Sequence, residues 1–394
     1  MKKVLFVAPS LTVGGMERVM AALADKLVQN EYDVTIMLLD TDDALKEELD
    51  PRVRVIKKPY KDHFGRNIPY IRHKLYDDGM WETRAAPEKL YRYYIGDEKY
   101  DVEIAFFRGL CVKIVSGSSN KDAAHFAWVH NDFRRAKGYQ NNFSDMRQVF
   151  EAYSRFDKVV CVSKEAKDGF VETIGDTDNL TIIYNMLPVE KIIDRAKEDA
   201  PLGISRGKLH LVLVARMEDK AKGQLRLISA VSKLRSQGED ITLALVGGGQ
   251  DEQRIREEIQ KRGASDYIEA LGEKKNPYPY IKDADLLVCA SYYEGFNLTV
   301  AEALILGTPV LSTRCTGPCE ILDNGAYGMI VENSEEGLYQ GLQAFCADPD
   351  LLKKYREKAK ERQDFFDEEK ILMQIEKLWE RKETDETDGY RNSL

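Results

Sequence analysis

The stretch Glu294-Gly-Phe-Asn-Leu-Thr-Val-Ala-Glu302 decides how this chain folds. The apolar segment from Asp285 to Ser291 precedes it and is typical of a buried strand, and a helical pattern follows as far as Gly307-Thr-Pro309. A strand, a short loop with small residues and a helix start are the elements from which α/β proteins build an anion site. Phosphate binding alone does not need an acid on each side. The two glutamates therefore indicate a ligand with hydroxyl groups on both sides of a phosphate, as a nucleotide sugar has.

Individual positions in this stretch have distinct predicted tasks. Asn297 is a good N-cap residue, so the amides of Leu298 and Thr299 are expected to point out of the helix start, where a diphosphate gains hydrogen bonds and the helix dipole. Glu302 lies roughly 7–8 Å further along the axis at ~1.5 Å per residue. At that distance the carboxylate reaches a ribose and accepts hydrogen bonds from both of its hydroxyls. Glu294, in the loop, reaches the sugar beyond the phosphate. For either glutamate alone, simple complementation of the dipole stays an alternative.

Length and composition limit the other possibilities. A chain of 394 residues is long enough for two domains with a core each, and its net charge of −9 argues against nucleic acid as a partner. The six cysteines are scattered, which favours buried free thiols in a reducing compartment over a disulfide framework. The first apolar run, Val4 to Ala8, is too short for a signal peptide, and no segment approaches the ~18 apolar residues of a membrane span. We therefore expect a soluble, cytoplasmic protein.

Strand-like and helix-like patterns alternate through both halves, which predicts parallel sheets covered by helices. The predicted strands are 3–8, 33–40, 101–107, 125–130, 158–163, 180–185, 209–215, 241–247, 267–271, 285–290, 309–313 and 328–332. The fold class is α/β, with two Rossmann-like, doubly wound domains that face each other across a cleft. The predicted parts are an N-terminal domain (1–190), a linker (191–207), a C-terminal domain (208–360), a helix returning to the N-terminal domain (361–382) and a disordered tail (383–394).

Further motifs follow in a defined order. Gly14-Gly15-Met-Glu-Arg18 comes after the first strand, Val214-Ala-Arg216 ends the first strand of the second half, and Val246-Gly-Gly-Gly249 ends the next. Together with the segment from Tyr293 to Thr313, these motifs resemble the retaining glycosyltransferases of family four, which have the two-domain GT-B fold. The resemblance covers nearly the whole chain and extends to bacterial enzymes of capsule, exopolysaccharide and lipopolysaccharide synthesis.

This resemblance implies a reaction and a substrate class. It implies that a sugar, hexosyl or N-acetylhexosaminyl, moves from a nucleoside diphosphate, with UDP favoured, to a growing glycan or lipid-linked acceptor, with retention at the anomeric carbon. It implies no nucleophilic carboxylate, no metal and no cofactor. The donor-binding residues that it implies are Gly15, Gly248, Phe296, Asn297, Leu298, Thr299 and Glu302.

Two cations after the first strand of the second half complete the predicted catalytic set. A guanidinium fork at Arg216 and an ammonium at Lys222 are the groups that offset charge on a diphosphate leaving group. The resemblance implies that they do the work of a metal. Their spacing is one residue longer than is usual in the family, so Lys220 competes for the lysine role, and surface cations at a strand end stay an alternative. We predict Arg216, Lys222, Glu294 and His130 as catalytic residues.

His130 ends a strand of the first half in Trp128-Val-His130. The resemblance implies that it contacts the donor sugar, although a lone histidine after a strand is more often structural. Asp132 and Arg134 are weaker candidates for contact with the acceptor. Asp176-Thr-Asp178 and Asp283-Ala-Asp285 have the letters of a metal motif, but we interpret both as structural.

The segment 57–74 combines six basic residues with three aromatic ones. This composition suits an anionic membrane surface or a lipid-diphosphate acceptor, and a solvated loop is the alternative. Peripheral attachment to the cytoplasmic face of a membrane is therefore an expectation for the N-terminal domain.

Three other functions compete with sugar transfer. A nucleotide-sugar epimerase of the same shape is the nearest, but its usual catalytic carboxylates are not evident. A nicotinamide-dependent dehydrogenase would need Gly-x-Gly-x-x-Gly, which Gly14-Gly15 does not complete, although Asp40 ends the second strand as a ribose-binding acid would. A catalytically inactive binding module does not explain why both cations and both glutamates are present.

Overall fold

The computed structural model describes residues 1–12, 14–59, 81–136 and 138–380. The chain forms two compact units, one of Met1–Met186 with Glu369–Leu394 and one of Leu187–Glu368. Residues 60–74 of the basic segment and the whole predicted tail, 383–394, lie outside the described residues.

Unit 1 is built on a parallel sheet. Its strands are β1 (Lys3–Ala8), β2 (Asp33–Leu38), β3 (Arg54–Lys57), β4 (Val102–Ala105), β5 (Ala124–Val129), β6 (Lys158–Cys161) and β7 (Leu180–Ile182). They pair in the order β3-β2-β1-β4-β5-β6-β7, with β1 in register against both β2 and β4. Its described helices are α1 (Gly15–Gln29), α2 (Trp81–Arg84), α3 (Pro87–Tyr94), α4 (Leu110–Val115), α5 (Met146–Ser154) and α6 (Lys164–Thr173).

Unit 2 repeats the plan with six strands. They are β8 (Leu209–Val214), β9 (Ile241–Val246), β10 (Ile268–Gly272), β11 (Leu286–Cys289), β12 (Val310–Thr313) and β13 (Met329–Val331), in the order β10-β9-β8-β11-β12-β13, all parallel. Its helices are α7 (Val189–Arg195), α8 (Asp219–Lys222), α9 (Gln224–Ser236), α10 (Glu252–Lys261), α11 (Tyr278–Asp283), α12 (Leu298–Ile305), α13 (Thr316–Ile321), α14 (Glu335–Ala347) and α15 (Asp350–Arg362). A last helix, α16 (Glu368–Trp379), follows a 3₁₀ turn at Gln363–Phe366.

The central strands are buried along most of their length, and mostly apolar, because helices cover both faces of each sheet. Every residue of β9 is buried, as is β1 from Val4 to Ala8, and continuous apolar runs of this kind are typical of buried parallel strands. The prediction of an α/β fold with two parallel sheets is confirmed. Several strands end earlier than predicted, since the chain leaves the sheet to form the loops at its carboxyl edge.

One strand escaped the sequence analysis. β3 (Arg54–Lys57) lies at the edge of the first sheet with basic, exposed residues at both ends. Charged residues are a common protection of edge strands, and they hide the apolar pattern by which a strand is recognised.

The two ends of the C-terminal domain also differ in detail from the prediction. Helix α7 lies in the segment expected to be mostly linker, and unit 2 already begins at Leu187. The returning helix, expected from residue 361, begins at Glu368, because the 3₁₀ turn buries Phe366 and interrupts the helical course.

Both sheets reverse their winding at a pair of central strands. The chain moves outward in opposite directions from β1 and β4 in unit 1, and from β8 and β11 in unit 2. Ligands of doubly wound proteins bind at the carboxyl ends of the strands at such a switch point. Gly14 and Gly15 follow β1, Arg216 follows β8, and the stretch that begins at Glu294 follows β11.

Helix α16 packs against unit 1. The ring of Trp379 is buried and meets that of Tyr32 edge to face at 5.4 Å. The Tyr32 hydroxyl donates to Glu376 Oε1 at 2.8 Å, and Lys26 Nζ pairs with Glu369 Oε1 at 2.6 Å. Burial and the neighbouring carboxylate raise the pKa of Tyr32 to about 12, so the phenol stays protonated as the donor. None of the helices in the described part of the chain has both the length and the apolar character of a membrane span.

We predict that Trp379→Ala destabilises unit 1 by about 3–5 kcal/mol, because it empties a buried aromatic site. The matched control is Met373→Ala on the same helix, where the side chain is 57% exposed and a change within about 0.5 kcal/mol is expected. Urea unfolding followed by circular dichroism measures both variants. Equal midpoints for Trp379→Ala and the wild type would contradict the packing role of the helix.

Candidate active site

The switch point of unit 2 forms a small cavity at the carboxyl ends of β8 and β11. Residues from separate parts of the sequence line it, among them Ala215, Lys222, Ser291, Asn297 and Thr299. Three of these residues were predicted from sequence motifs. The fold therefore brings the lysine and the helix start to one place in unit 2.

Lys222 is the lysine that reaches this site. It ends the one-turn helix α8, and its Nζ donates to Glu294 Oε1 at 2.7 Å. The hydroxyl of Ser291 donates to the same oxygen at 2.5 Å. Both ends of the ion pair are mostly shielded, with the side chains of Lys222 and Glu294 25% and 10% exposed. The competing candidate, Lys220, is exposed on the same short helix.

Arg216 is positioned by its backbone and leaves its side chain in solvent. Its carbonyl accepts from Gln224 Nε2 at 2.9 Å, and the next amide, that of Met217, donates to the carbonyl of Gly248 at 2.8 Å. The guanidinium is 73% exposed, with Glu218 at 3.8 Å. An exposed fork of this kind is available for a phosphate.

The start of α12 is capped as the sequence predicted. Asn297 adopts a left-handed conformation, with φ of 72°, and its Oδ1 accepts from the amide of Val300 at 3.0 Å. Its Nδ2 points to Cys289 Sγ at 3.2 Å. Because the cap uses the third amide of the helix, those of Leu298 and Thr299 have neither the cap nor a helical carbonyl as partner. They are the groups predicted to bind a diphosphate.

Two of the remaining predicted residues of unit 2, Phe296 and Glu302, lie next to or inside this helix. Phe296 is buried, at 4% exposure. Glu302 lies inside α12 and is only 6% exposed. Gly248 follows β9, where an added Cβ would lie 3.3 Å from the Cβ of Glu273.

The switch point of unit 1 carries Gly14 and Gly15 at the start of α1. A Cβ on Gly14 would lie 2.2 Å from Glu17 Oε2, so a larger residue here would have to displace this carboxylate. Glu17 is itself buried, and its Oε1 accepts from Thr12 Oγ1 at 3.2 Å. The sequence analysis missed Glu17, although its place in the first turn after a Gly-Gly pair was a usable signal.

His130 lies at the end of β5 as a neutral imidazole. Its Nε2–H donates to the carbonyl of Phe106 at 3.0 Å, and the two rings lie 4.6 Å apart. Burial lowers the pKa of His130 to about 3. Since Nε2 carries the proton, Nδ1 is an acceptor, and it has no hydrogen-bond partner among the described residues. His130 is therefore a buried neutral acceptor and not a cation.

Asp132 and Arg134 contact each other instead of facing solvent separately. Arg134 Nε donates to Asp132 Oδ1 at 2.8 Å, and Arg134 Nη1 donates to Glu172 at 3.1 Å. An added Cβ on Gly169 would lie 1.9 Å from Asp132 Oδ1, which shows how tightly this carboxylate is packed against α6.

The two Asp-x-Asp segments have structural partners. Asp283 and Asp285 pair with Arg206 at 3.0 and 3.2 Å, and Asp285 Oδ2 also accepts the amide of His210. Asp176 Oδ1 accepts the amide of Asp178 within its loop.

The buried neutral state of His130 predicts a pH dependence of stability. Above pH 6.5 neither the folded nor the unfolded chain protonates it. Between pH 6.5 and about 3 only the unfolded chain does. The contribution of His130 to the free energy of unfolding therefore falls by about 1.4 kcal/mol per pH unit in this window, and His130→Gln removes that contribution. We expect the difference in unfolding free energy between wild type and variant to stay constant above pH 7. From pH 6 to 4.5 the wild type is expected to lose stability steadily relative to the variant. Urea unfolding at each pH measures it, and parallel curves would contradict the assignment.

Comparison with known proteins finds matches along both units. The sequence model of "Glycosyltransferase Family 4" matches residues 13–191, and that of "Glycosyl transferases group 1" matches residues 194–362. The Anabaena protein Alr3699/HepE, solved in complex with UDP, superposes with a TM-score of 0.74 at 19% identity, covering 96% of this chain and 99% of that one. At this identity the likeness establishes the fold.

Curated relatives are similar over part of their length. The N-acetylgalactosamine-N,N'-diacetylbacillosaminyl-diphospho-undecaprenol 4-alpha-N-acetylgalactosaminyltransferase of Campylobacter jejuni is 29% identical over 238 residues, which are 59% of this chain and 63% of the relative. The poly(glycerol-phosphate) alpha-glucosyltransferase of Bacillus subtilis is 25% identical over 235 residues, 59% of this chain and 34% of the relative. The matched region thus spans less than two thirds of either relative. Because the two family models follow one another along both units, the chain belongs to the family-four type of glycosyltransferases, which have the GT-B fold.

Proposed function

We propose that this protein transfers a sugar from a nucleoside diphosphate sugar, most favourably UDP-linked, to a growing glycan or lipid-linked acceptor. The observation that carries the proposal is the contact between Lys222 and Glu294 beside the capped start of α12. A cation, two helix amides and a carboxylate lie together there. This set matches a diphosphate that continues into a hydroxyl-bearing sugar.

Each group has a defined task in this proposal. Lys222 and Arg216 offset the charge that develops on the leaving diphosphate, and the amides of Leu298 and Thr299 bind its oxygens. In the ligand-free site Lys222 is neutralised by Glu294. When the diphosphate arrives, the ammonium gains a second anionic partner, and Glu294 becomes an acceptor for sugar hydroxyls.

We further propose that transfer retains the anomeric configuration and needs no metal. The bond between the anomeric carbon and the phosphate oxygen breaks, and the acceptor oxygen forms its bond to the same carbon on the same face. The acceptor proton passes to the leaving phosphate. Protein catalysis is then positioning plus stabilisation of the diphosphate. The engagement of Glu294 by Lys222 and Ser291 supports this mechanism, because a carboxylate held in this way is a poor nucleophile.

The relatives support the choice of substrates. The name of the Campylobacter enzyme includes a diphospho-undecaprenol acceptor and an N-acetylgalactosaminyl group, and the Anabaena protein was solved with UDP and with UDP-glucose. We accordingly propose a hexosyl or N-acetylhexosaminyl donor, a role in cell-surface polysaccharide synthesis, and a cytoplasmic enzyme that meets the membrane through the segment 57–74. Co-sedimentation with anionic liposomes at low and high salt tests the last point.

The first test is calorimetric titration of UDP into the protein in buffer with a chelator. We predict micromolar-range binding that weakens at least tenfold, about 1.4 kcal/mol, in Glu302→Gln. This residue is expected to bind the ribose. The control is Glu336→Gln on the exposed face of α14, where affinity stays unchanged. Binding of GDP or ADP in place of UDP would correct the base, and binding of none of the three would overturn the proposal.

A second prediction concerns Glu294. Glu294→Gln is expected to lower the rate of transfer at least a hundredfold, about 2.7 kcal/mol, while UDP binds no more weakly than to the wild type. UDP affinity is preserved because the variant removes the anion that competes with the diphosphate for Lys222. Calorimetry and a product assay with purified UDP-sugars measure the two effects. Anomeric coupling constants of the product, read by proton NMR, test retention, and an inverted product would end the proposed mechanism.

A further inference from the structure

Arg226 is a buried cation just behind the proposed donor site. It lies in the first turn of α9 and is 6% exposed. Its Nε and Nη2 both donate to the carbonyl of Ala290, at 2.9 and 2.5 Å, and Nη2 also donates to Asn333 Oδ1 at 2.8 Å. The guanidinium carbon lies 3.8 Å from the ring centroid of Tyr292.

No carboxylate within the described residues forms an ion pair with this guanidinium, and burial lowers the pKa of Arg226. A buried charge without a counter-ion is costly, and an apolar residue of similar volume often stabilises a fold as well or better. Stability alone therefore gives a weak reason for an arginine here. The groups that Arg226 holds in place give a stronger reason.

The groups that Arg226 holds lead directly to Glu294. Ala290 follows the last residue of β11, and the chain continues through Ser291, whose hydroxyl donates to Glu294. Tyr292 is fixed twice more, by its amide to the carbonyl of Ala221 at 2.9 Å and by its carbonyl to Asn333 Nδ2 at 2.9 Å.

The same groups are packed against the turn that carries Lys222. Gly223 has φ of +67°, and a Cβ added there would lie 2.2 Å from the oxygen of Ala290 and 2.6 Å from Arg226 Nε. The turn at 221–223 and the segment at 290–292 therefore touch, and the guanidinium is bound to the second and lies close to the first.

We propose that Arg226 is a positioning residue of the donor site. Its fork and its stacking on Tyr292 fix the strand end of Ala290 against the turn of Lys222, and so set the separation between Lys222 and Glu294. This inference rests on the proposed function for its catalytic meaning. It assigns Arg226 no contact with the substrate.

The structural part of the proposal is tested without any ligand. We expect Arg226→Met to speed amide hydrogen exchange in residues 219–225 and 290–297 at least tenfold, with the strands β8 and β9 still protected. The control is Lys233→Met on the same helix, where Nζ lies 3.6 Å from the ring centroid of Tyr339 and no change in either segment is expected. Unchanged exchange in Arg226→Met would overturn the inference, whatever the protein binds.

The functional part is tested by a double-mutant cycle in UDP binding. Arg226→Met is expected to weaken UDP binding about tenfold when Lys222 is present. In the Lys222→Met background it is expected to weaken binding less than twofold, because its effect passes through Lys222. Arg226→Lys keeps a donor and is expected to recover part of the loss. The stoichiometry of the titration reports the folded fraction, so a general loss of structure appears as fewer sites. Equal losses in both backgrounds would overturn the positioning role.

Two outcomes separate this inference from the proposed function. Faster exchange in Arg226→Met, with no nucleotide bound by the wild type, would reject the donor site and keep the packing role of the arginine. If Arg226→Met does not fold, Asn333→Ala removes one arm of the same network and is expected to show the same exchange pattern with a smaller, about threefold, loss of UDP affinity. Unaltered exchange and affinity in that variant would count against the proposal.

Discussion

The ion pair between Lys222 and Glu294 is the contact on which the candidate site of unit 2 depends. It joins the turn after β8 to the loop after β11, the two strands where the winding of the sheet reverses. A parallel sheet leaves a crevice at such a point, and the chain fills it with charged groups only because each has a partner. Glycine at 223 allows the two segments to meet, and the Ser291 hydroxyl donates a second hydrogen bond to the carboxylate of Glu294.

Electrostatics in the two units follow opposite principles. Unit 2 gathers cations, helix amides and a carboxylate, a set that suits an anionic ligand with hydroxyl groups. Unit 1 presents His130, which burial keeps neutral, with one ring nitrogen already bound to a carbonyl and the other left as an acceptor.

Much of the fold was predictable because parallel strands covered on both faces must be apolar. The strands with buried, β-branched runs were all predicted, whereas β3, whose ends carry basic residues at a sheet edge, was not. The N-cap at Asn297 was predicted because only a few side chains satisfy the amides of a helix start. Its second contact, with Cys289, was not, since that cysteine is eight residues away and no local pattern links them.

The sequence by itself determined the two parallel sheets, the order of the motifs and the residue types needed for a diphosphate, because these depend on local periodicity and on chemistry at fixed spacing. The tertiary structure decided which groups meet. Lys222 rather than Lys220 faces Glu294 because the short helix α8 and Gly223 turn it inward. The role of Arg226 entered the description only with the fold. Its partners Ala290 and Asn333 lie far along the sequence, and a contact between distant residues leaves no periodic trace in a single sequence.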